Sequence, residues 1–247
     1  MTPLIEVCVE GIDGLIVAQQ SGADRVELCA SLLEGGLTPS VGTVTAALQL
    51  ATVPFYPIVR PRGGDFLYSD AEFASMQADI AAFRQLGVKG VVFGILTPEA
   101  RIDEARMRAL VEAADGMDVT CHRAFDMTRD IDEAVEALIR AGVKRVLTSG
   151  QRDTAIEGLA TLKRTVEKAA GRIKIMACGA LAPDTIARVR DETGAPELHF
   201  ATLTTIASGM TWSNPNVGMG GTARSREYEL TVTDGELAAA TIAAARG

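Results

Sequence analysis

The chain has 247 residues, 47% of them hydrophobic and 23% charged, enough apolar side chain for a substantial core and too much for a disordered chain. Its 24 basic residues against 32 acidic ones leave a formal charge of -8, which repels a phosphodiester backbone and excludes nucleic acid as an expected partner. No apolar run reaches the roughly 18 residues needed to cross a bilayer, no basic flank and apolar segment mark an export signal, and Cys8, Cys29, Cys121 and Cys178 form no C-x-x-C pair; a cytoplasmic protein with reduced thiols and no membrane partner is expected.

In chain order, one unit repeats: a short apolar run, a turn, an Ala-rich amphipathic stretch, a glycine, and the next apolar run. Strands are expected near 4–9, 25–29, 54–60, 90–95, 117–122, 145–149, 173–178 and 197–201. Helices are expected near 12–21, 40–50, 70–86, 103–114, 131–141, 153–170, 183–193 and 235–245, with start signals at Ser40, Ser69-Asp70 and Pro183-Asp184. Gly22, Gly87, Gly142 and Gly194 sit where a left-handed residue closes a helix and the next strand begins. Eight such units predict an α/β fold, a single-domain (β/α)8 TIM barrel over 1–247. A doubly wound open sheet is the other architecture, but Val9-Glu10-Gly11-Ile12-Asp13-Gly14 matches no Gly-rich fingerprint after the first strand. The connections 30–39 and 202–234 exceed turn length and follow strands. Both are therefore expected at the carboxyl mouth, the second as a long loop over that face.

Alternation along the strands places the chemistry. With Ile5, Val7 and Val9 facing the helices, Glu6 and Cys8 point into the lumen; with Val26 and Leu28 facing the helices, Arg25, Glu27 and Cys29 do the same. After the third strand, Arg60-Pro61-Arg62-Gly63-Gly64 brings two guanidinium groups and a flexible turn to the mouth, an arrangement suited to an anion. His122 and His199, the chain's two histidines, lie in strands and are expected to point inward, while Asp126 and Ser149 follow the fifth and sixth strands at the same rim. Ordinary structural roles stand beside these. A buried cysteine is a small hydrophobe, a buried histidine can be a hydrogen-bonded core residue, and Arg60 can neutralise Glu6 or Glu27. The convergence of ionisable groups from five strands on one face favours a site, because burying them without a use is costly.

The segments 22–29 (GADRVELC), 34–40 (EGGLTPS), 60–70 (RPRGGDFLYSD), 122–126 (HRAFD) and 147–151 (LTSGQ) resemble, in sequence, order and spacing, those of the CutC copper-homeostasis family. The resemblance implies a (β/α)8 barrel, a cytoplasmic location, a homo-oligomer (dimer or tetramer) and Cu(I) held by two strand-end cysteines that match Cys8 and Cys29. Soft thiolates on neighbouring strands suit that ion. The residues also allow a barrel enzyme acting on a small carboxylate or phosphate. In that reading Arg60, Arg62, Gly63, Gly64, Asp126 and Ser149 bind the anion, and Glu6, Glu27, His122 and His199 move a proton, with His122 as general acid or base. Either a copper ion or a small anionic molecule is the expected partner, and Cu(I) the expected cofactor.

Overall fold

Short apolar runs buried on both faces and joined by helices can bury their backbone polar groups only by pairing with one another, and in this chain they pair in parallel. The computed structural model describes residues 2–218 and 227–247. Its strands are β1 (Leu4–Glu10), β2 (Arg25–Cys29), β3 (Phe55–Pro57), β4 (Gly90–Phe93), β5 (Asp118–Cys121), β6 (Arg145–Thr148), β7 (Lys174–Ala177) and β8 (Glu197–Phe200). They alternate with α1 (Gly11–Gln20), α2 (Val41–Leu50), α3 (Asp70–Gln85), α4 (Glu104–Ala114), α5 (Ile131–Ala141), α6 (Leu159–Ala169), α7 (Ile186–Thr193) and, last, α8 (Gly235–Arg246). The sheet order is β3-β2-β1-β8-β7-β6-β5-β4, and a parallel bridge between Ile58 and Val92 joins its two edges. The expected eight-stranded (β/α)8 barrel is therefore the observed fold.

Local signals account for the element ends. Ser40 and Ser69 cap α2 and α3, the latter through a reciprocal capping box with Glu72. The four junction glycines, Gly22, Gly87, Gly142 and Gly194, all have positive φ. Several expected elements are shorter: β4 ends at Phe93 rather than near 95, α7 starts at Ile186 rather than near 183, and β3 and α6 lose the most. β3 ends at Pro57, and α6 starts at Leu159 rather than near 153, because the preceding segment turns back so that Ala155 N–H donates to Gly179 O. The connection 202–234 is not simply a loop: β9 (Leu203–Ala207) and β10 (Glu229–Thr233) form an antiparallel hairpin that packs against α1, and residues 219–226 within it lie outside the described residues.

Alternation divides the buried residues into two sets. Ile5, Val7, Val9, Val26, Leu28 and Cys121 pack under the helices in the main apolar core. The lumen holds the other parity, and its lower half is ionic. Arg25 donates to both Glu6 and Glu197, Arg145 donates to Glu197, and the Tyr56 ring lies 5.1 Å from the Arg25 guanidinium and 5.8 Å from that of Arg145. Tyr56 in turn donates to Asp118 at 2.9 Å. Gly90 makes this possible: a Cβ there would lie 2.6 Å from the Tyr56 ring. Among the described residues, no helix is long and apolar enough to cross a membrane.

Removing one charge from this network leaves its partners buried and uncompensated. Glu197→Gln is expected to destabilise the barrel by about 3–5 kcal/mol, read as a lower midpoint in urea unfolding with an unchanged slope.

Candidate functional site

Above the ionic layer, at the carboxyl ends of the strands, the lumen opens into a cavity of about 270 Å³ lined by Cys8, Glu27, Arg60, His122, Arg123 and His199, with Gly35, Ile58, Phe66 and Leu147 between them. A wider depression of about 810 Å³ at the opposite end, beside Thr2, Pro3 and Pro196, contains none of these groups.

The β1–β2 register sets the thiols. Cys8 pairs with Glu27, and Glu10 with Cys29, so the two cysteines face the lumen one step apart along neighbouring strands. Their Sγ atoms are 3.7 Å apart, and Cys8, Glu27 and Cys29 offer ligand atoms that all lie within 4.8 Å of one another. Cys8 lines the cavity, whereas Cys29 lies beneath the turn at Gly36, where an added Cβ would come 3.0 Å from its Sγ. The hydrogen bond with Cys29, reinforced by burial, raises the Cys8 thiol well above its usual value. Cys29 is lowered by its bond to Cys8, but burial and the Glu27 charge outweigh this and push it to about 11. Both are neutral thiols near pH 7.

His199 stands between two carboxylates. Its Nδ1 is 2.8 Å from Glu6 Oε1 and its Nε2 is 3.7 Å from Glu27 Oε2. Burial alone would lower it, yet the bonds to Cys8 and Glu6 and the charges of Glu27 and Glu6 raise it to about 10, making it an imidazolium. Burial likewise opposes ionisation of Glu6, but the Arg25 guanidinium and His199 prevail and bring it to about 2. Glu6 is thus locked between Arg25 and His199 and does not line the cavity. Burial raises Glu27.

His122 is a different histidine. Its Nδ1 accepts from Ala124 N–H, so the neutral ring carries its proton on Nε2, which is buried with no partner. Burial, then the Arg60 charge, depresses it to about 3, so near neutrality it offers an N–H rather than a titrating proton. Gly94 leaves room for the ring; a Cβ there would lie 2.8 Å from His122 Nδ1.

Arg60 neutralises neither Glu6 nor Glu27. Its Nη1 donates to the carbonyls of Glu34 and Gly36 and its Nη2 to that of Gly64. Arg62 is turned away: it binds Glu72 Oε1 at 2.6 Å and Asp65 Oδ1 at 2.9 Å on the outside, and neither it nor Gly63 and Gly64 line the cavity. Asp126 and Ser149 form a polar clasp behind the rim, in which Asp126 accepts from Thr148 and from Ser149 while Arg123 donates to both Asp126 and Ser149. Alternation placed the strand residues correctly, but Arg123 and Phe66, both in the cavity wall, were not singled out. Arg123 had a signal in its place directly after His122, with Asp126 three residues on.

The two histidines are shifted in opposite directions and so affect stability at opposite ends of the pH range. His122 carries its depressed value as a stability cost that appears as pH falls from about 6.5 toward 3. His199 stabilises fully below about 6.5, and that contribution is lost as pH rises toward 10. Nitrogen-15 spectra of the two imidazoles should show His122 as a neutral Nε2–H tautomer and His199 as an imidazolium at pH 7; a single common titration near 6.5 would contradict the geometry.

Comparison with known proteins agrees with the fold and the motif spacing. The family model described as CutC family matches residues 3–204. The family protein CutC of Mesorhizobium japonicum is 64% identical over 244 residues, covering 99% of this chain and 95% of its own. The human copper homeostasis protein cutC homolog is 43% identical over 231 residues, covering 94% of this chain and 85% of its own. The crystal structure of CutC from Streptococcus agalactiae superposes with a TM-score of 0.76 at 33% identity, over 80% of this chain and 97% of that one. A matching family model over most of the chain and close relatives along nearly all of it mean that this chain belongs to the CutC family.

Proposed function

We propose that this protein binds Cu(I) through the Cys8 and Cys29 thiolates in the service of copper homeostasis. The observation that carries this reading is the 3.7 Å separation of the two sulfurs at the barrel mouth. Two metal–thiolate bonds of about 2.3 Å each, the length known for zinc, can span that gap without backbone movement. Thiolate is the soft ligand that selects Cu(I) over harder cations, and Glu27 supplies a nearby counter-charge or further donor. The ion would reach Cys8 first, since that residue lines the cavity and Cys29 lies under Gly36. The human relative's name supports the same role. Four free cysteines are consistent with work in a reducing cytoplasm. Exposed Leu203, Ile206 and Leu230 on the β9–β10 hairpin are compatible with a homo-oligomer, dimer or tetramer.

Because both thiols are protonated near neutrality, each must release a proton to bind, and affinity should rise by about tenfold per pH unit for each proton released. A competition titration with a Cu(I) chelator is expected to show one stoichiometric site whose affinity rises from pH 6 to pH 8. The pair Cys8→Ser and Cys29→Ser should abolish it. Identical titrations of wild type and double variant would leave the cysteines as packing residues.

A further inference from the structure

Arg60 is a buried cation without a carboxylate of its own. Its outer nitrogens are committed to the carbonyls of Glu34, Gly36 and Gly64, it makes no salt bridge with any described carboxylate, and its Nε–H is buried with no acceptor. Carbonyl dipoles do not neutralise a guanidinium, and a buried charge left without its opposite is costly. A second donor is orphaned beside it. With His122 Nδ1 accepting from Ala124 N–H, the proton sits on Nε2, and Nε2 is also buried without a partner. Phe66 fixes both groups, its ring centroid lying 5.3 Å from the Arg60 guanidinium carbon and 4.9 Å from the His122 ring centroid. All three residues line the cavity of about 270 Å³.

We propose that this cavity binds a small organic carboxylate, whose oxygens accept from Arg60 Nε–H and His122 Nε2–H and whose carbon skeleton packs on Phe66, Ile58 and Leu147. The ligand supplies the negative charge that Arg60 lacks. A carboxylate fits better than a phosphate: three of the five guanidinium N–H groups are taken by backbone carbonyls, and the orphaned Nε–H and His122 Nε2–H stand against an apolar wall. The volume of about 270 Å³ lies just below the usual range of ligand sites, which begins at about 300 Å³, so the ligand has only a few carbons. A histidine held neutral by burial and by Arg60 suits this task, since it donates a hydrogen bond while remaining fixed in one tautomer. Cys8 lines the same cavity, but the donors proposed for the carboxylate are Arg60 and His122, so its binding requires no metal.

The test uses metal-free full-length protein with acetate, benzoate and succinate as probes, against phosphate and chloride at matched ionic strength. With two histidines in the chain, the His122 Nε2–H signal can be followed directly. At least one carboxylate at millimolar concentration should shift that signal and raise the melting temperature with no metal present. His122→Asn keeps an acceptor for Ala124 N–H but lacks a donor at the Nε2 position; it should fold and bind the carboxylate about tenfold more weakly, the loss expected for one hydrogen bond to a charged group. Arg60→Lys should weaken binding similarly. An unmoved His122 signal with every carboxylate, an equal response to phosphate, or full affinity in His122→Asn would overturn the proposal.

Discussion

Glu6, Arg25, Arg145 and Glu197 fill the lower lumen as ionised side chains, and each is tolerated there because its immediate neighbours carry the opposite charge. Everything above them depends on this layer. Arg25 holds Glu6, Glu6 holds His199 as an imidazolium, and His199 faces Glu27 and the Cys8 thiol. The mouth of the barrel is thus electrostatically anchored from below, through a chain of contacts that crosses from β8 to β1 and β2.

The two histidines show how environment, rather than residue type, sets chemistry. His199 lies between two carboxylates and is pulled up to about 10. His122 sits against Phe66 with a guanidinium as its charged neighbour and is pushed down to about 3. One is a fixed cation and the other a fixed neutral donor, and neither exchanges protons readily near neutrality. The mouth accordingly has two faces. On the β1–β2 side, soft thiols and a carboxylate form the copper-compatible cluster. From the segments after β3 and β5, Arg60 and His122 present donors without acceptors. The thiol cluster and the donor pair thus share one cavity while drawing on different side chains.

Glycines decide how closely these groups approach. Gly90 and Gly94, one turn of alternation either side of Val92 on the lumen face of the β4 region, give space to the Tyr56 and His122 rings, while Gly36 closes over Cys29. A side chain at any of them would have to displace a residue of the ionic layer, the donor pair or the thiol pair.

By itself, the sequence determined the architecture and the inward set. Period-2 alternation in Glu6-Val7-Cys8 and Arg25-Val26-Glu27-Leu28-Cys29, glycines at helix ends, and the eightfold repeat specify a parallel barrel and the face each side chain takes. These are local properties, and local order expresses them. Tertiary structure decided which inward groups meet. Glu6 found Arg25 rather than Arg60, because strand register puts Arg25 beside it and the loop after β3 carries Arg60 to the carbonyls of Glu34, Gly36 and Gly64. Arg62, one residue beyond Pro61, turned outward to Glu72 instead of joining the mouth. The hairpin within 202–234 and the use of Phe66 and Arg123 as cavity wall were equally hidden, since each depends on where a connection of irregular conformation lands on the finished barrel. Alternation says which way a strand residue points; only the closed barrel says what it points at.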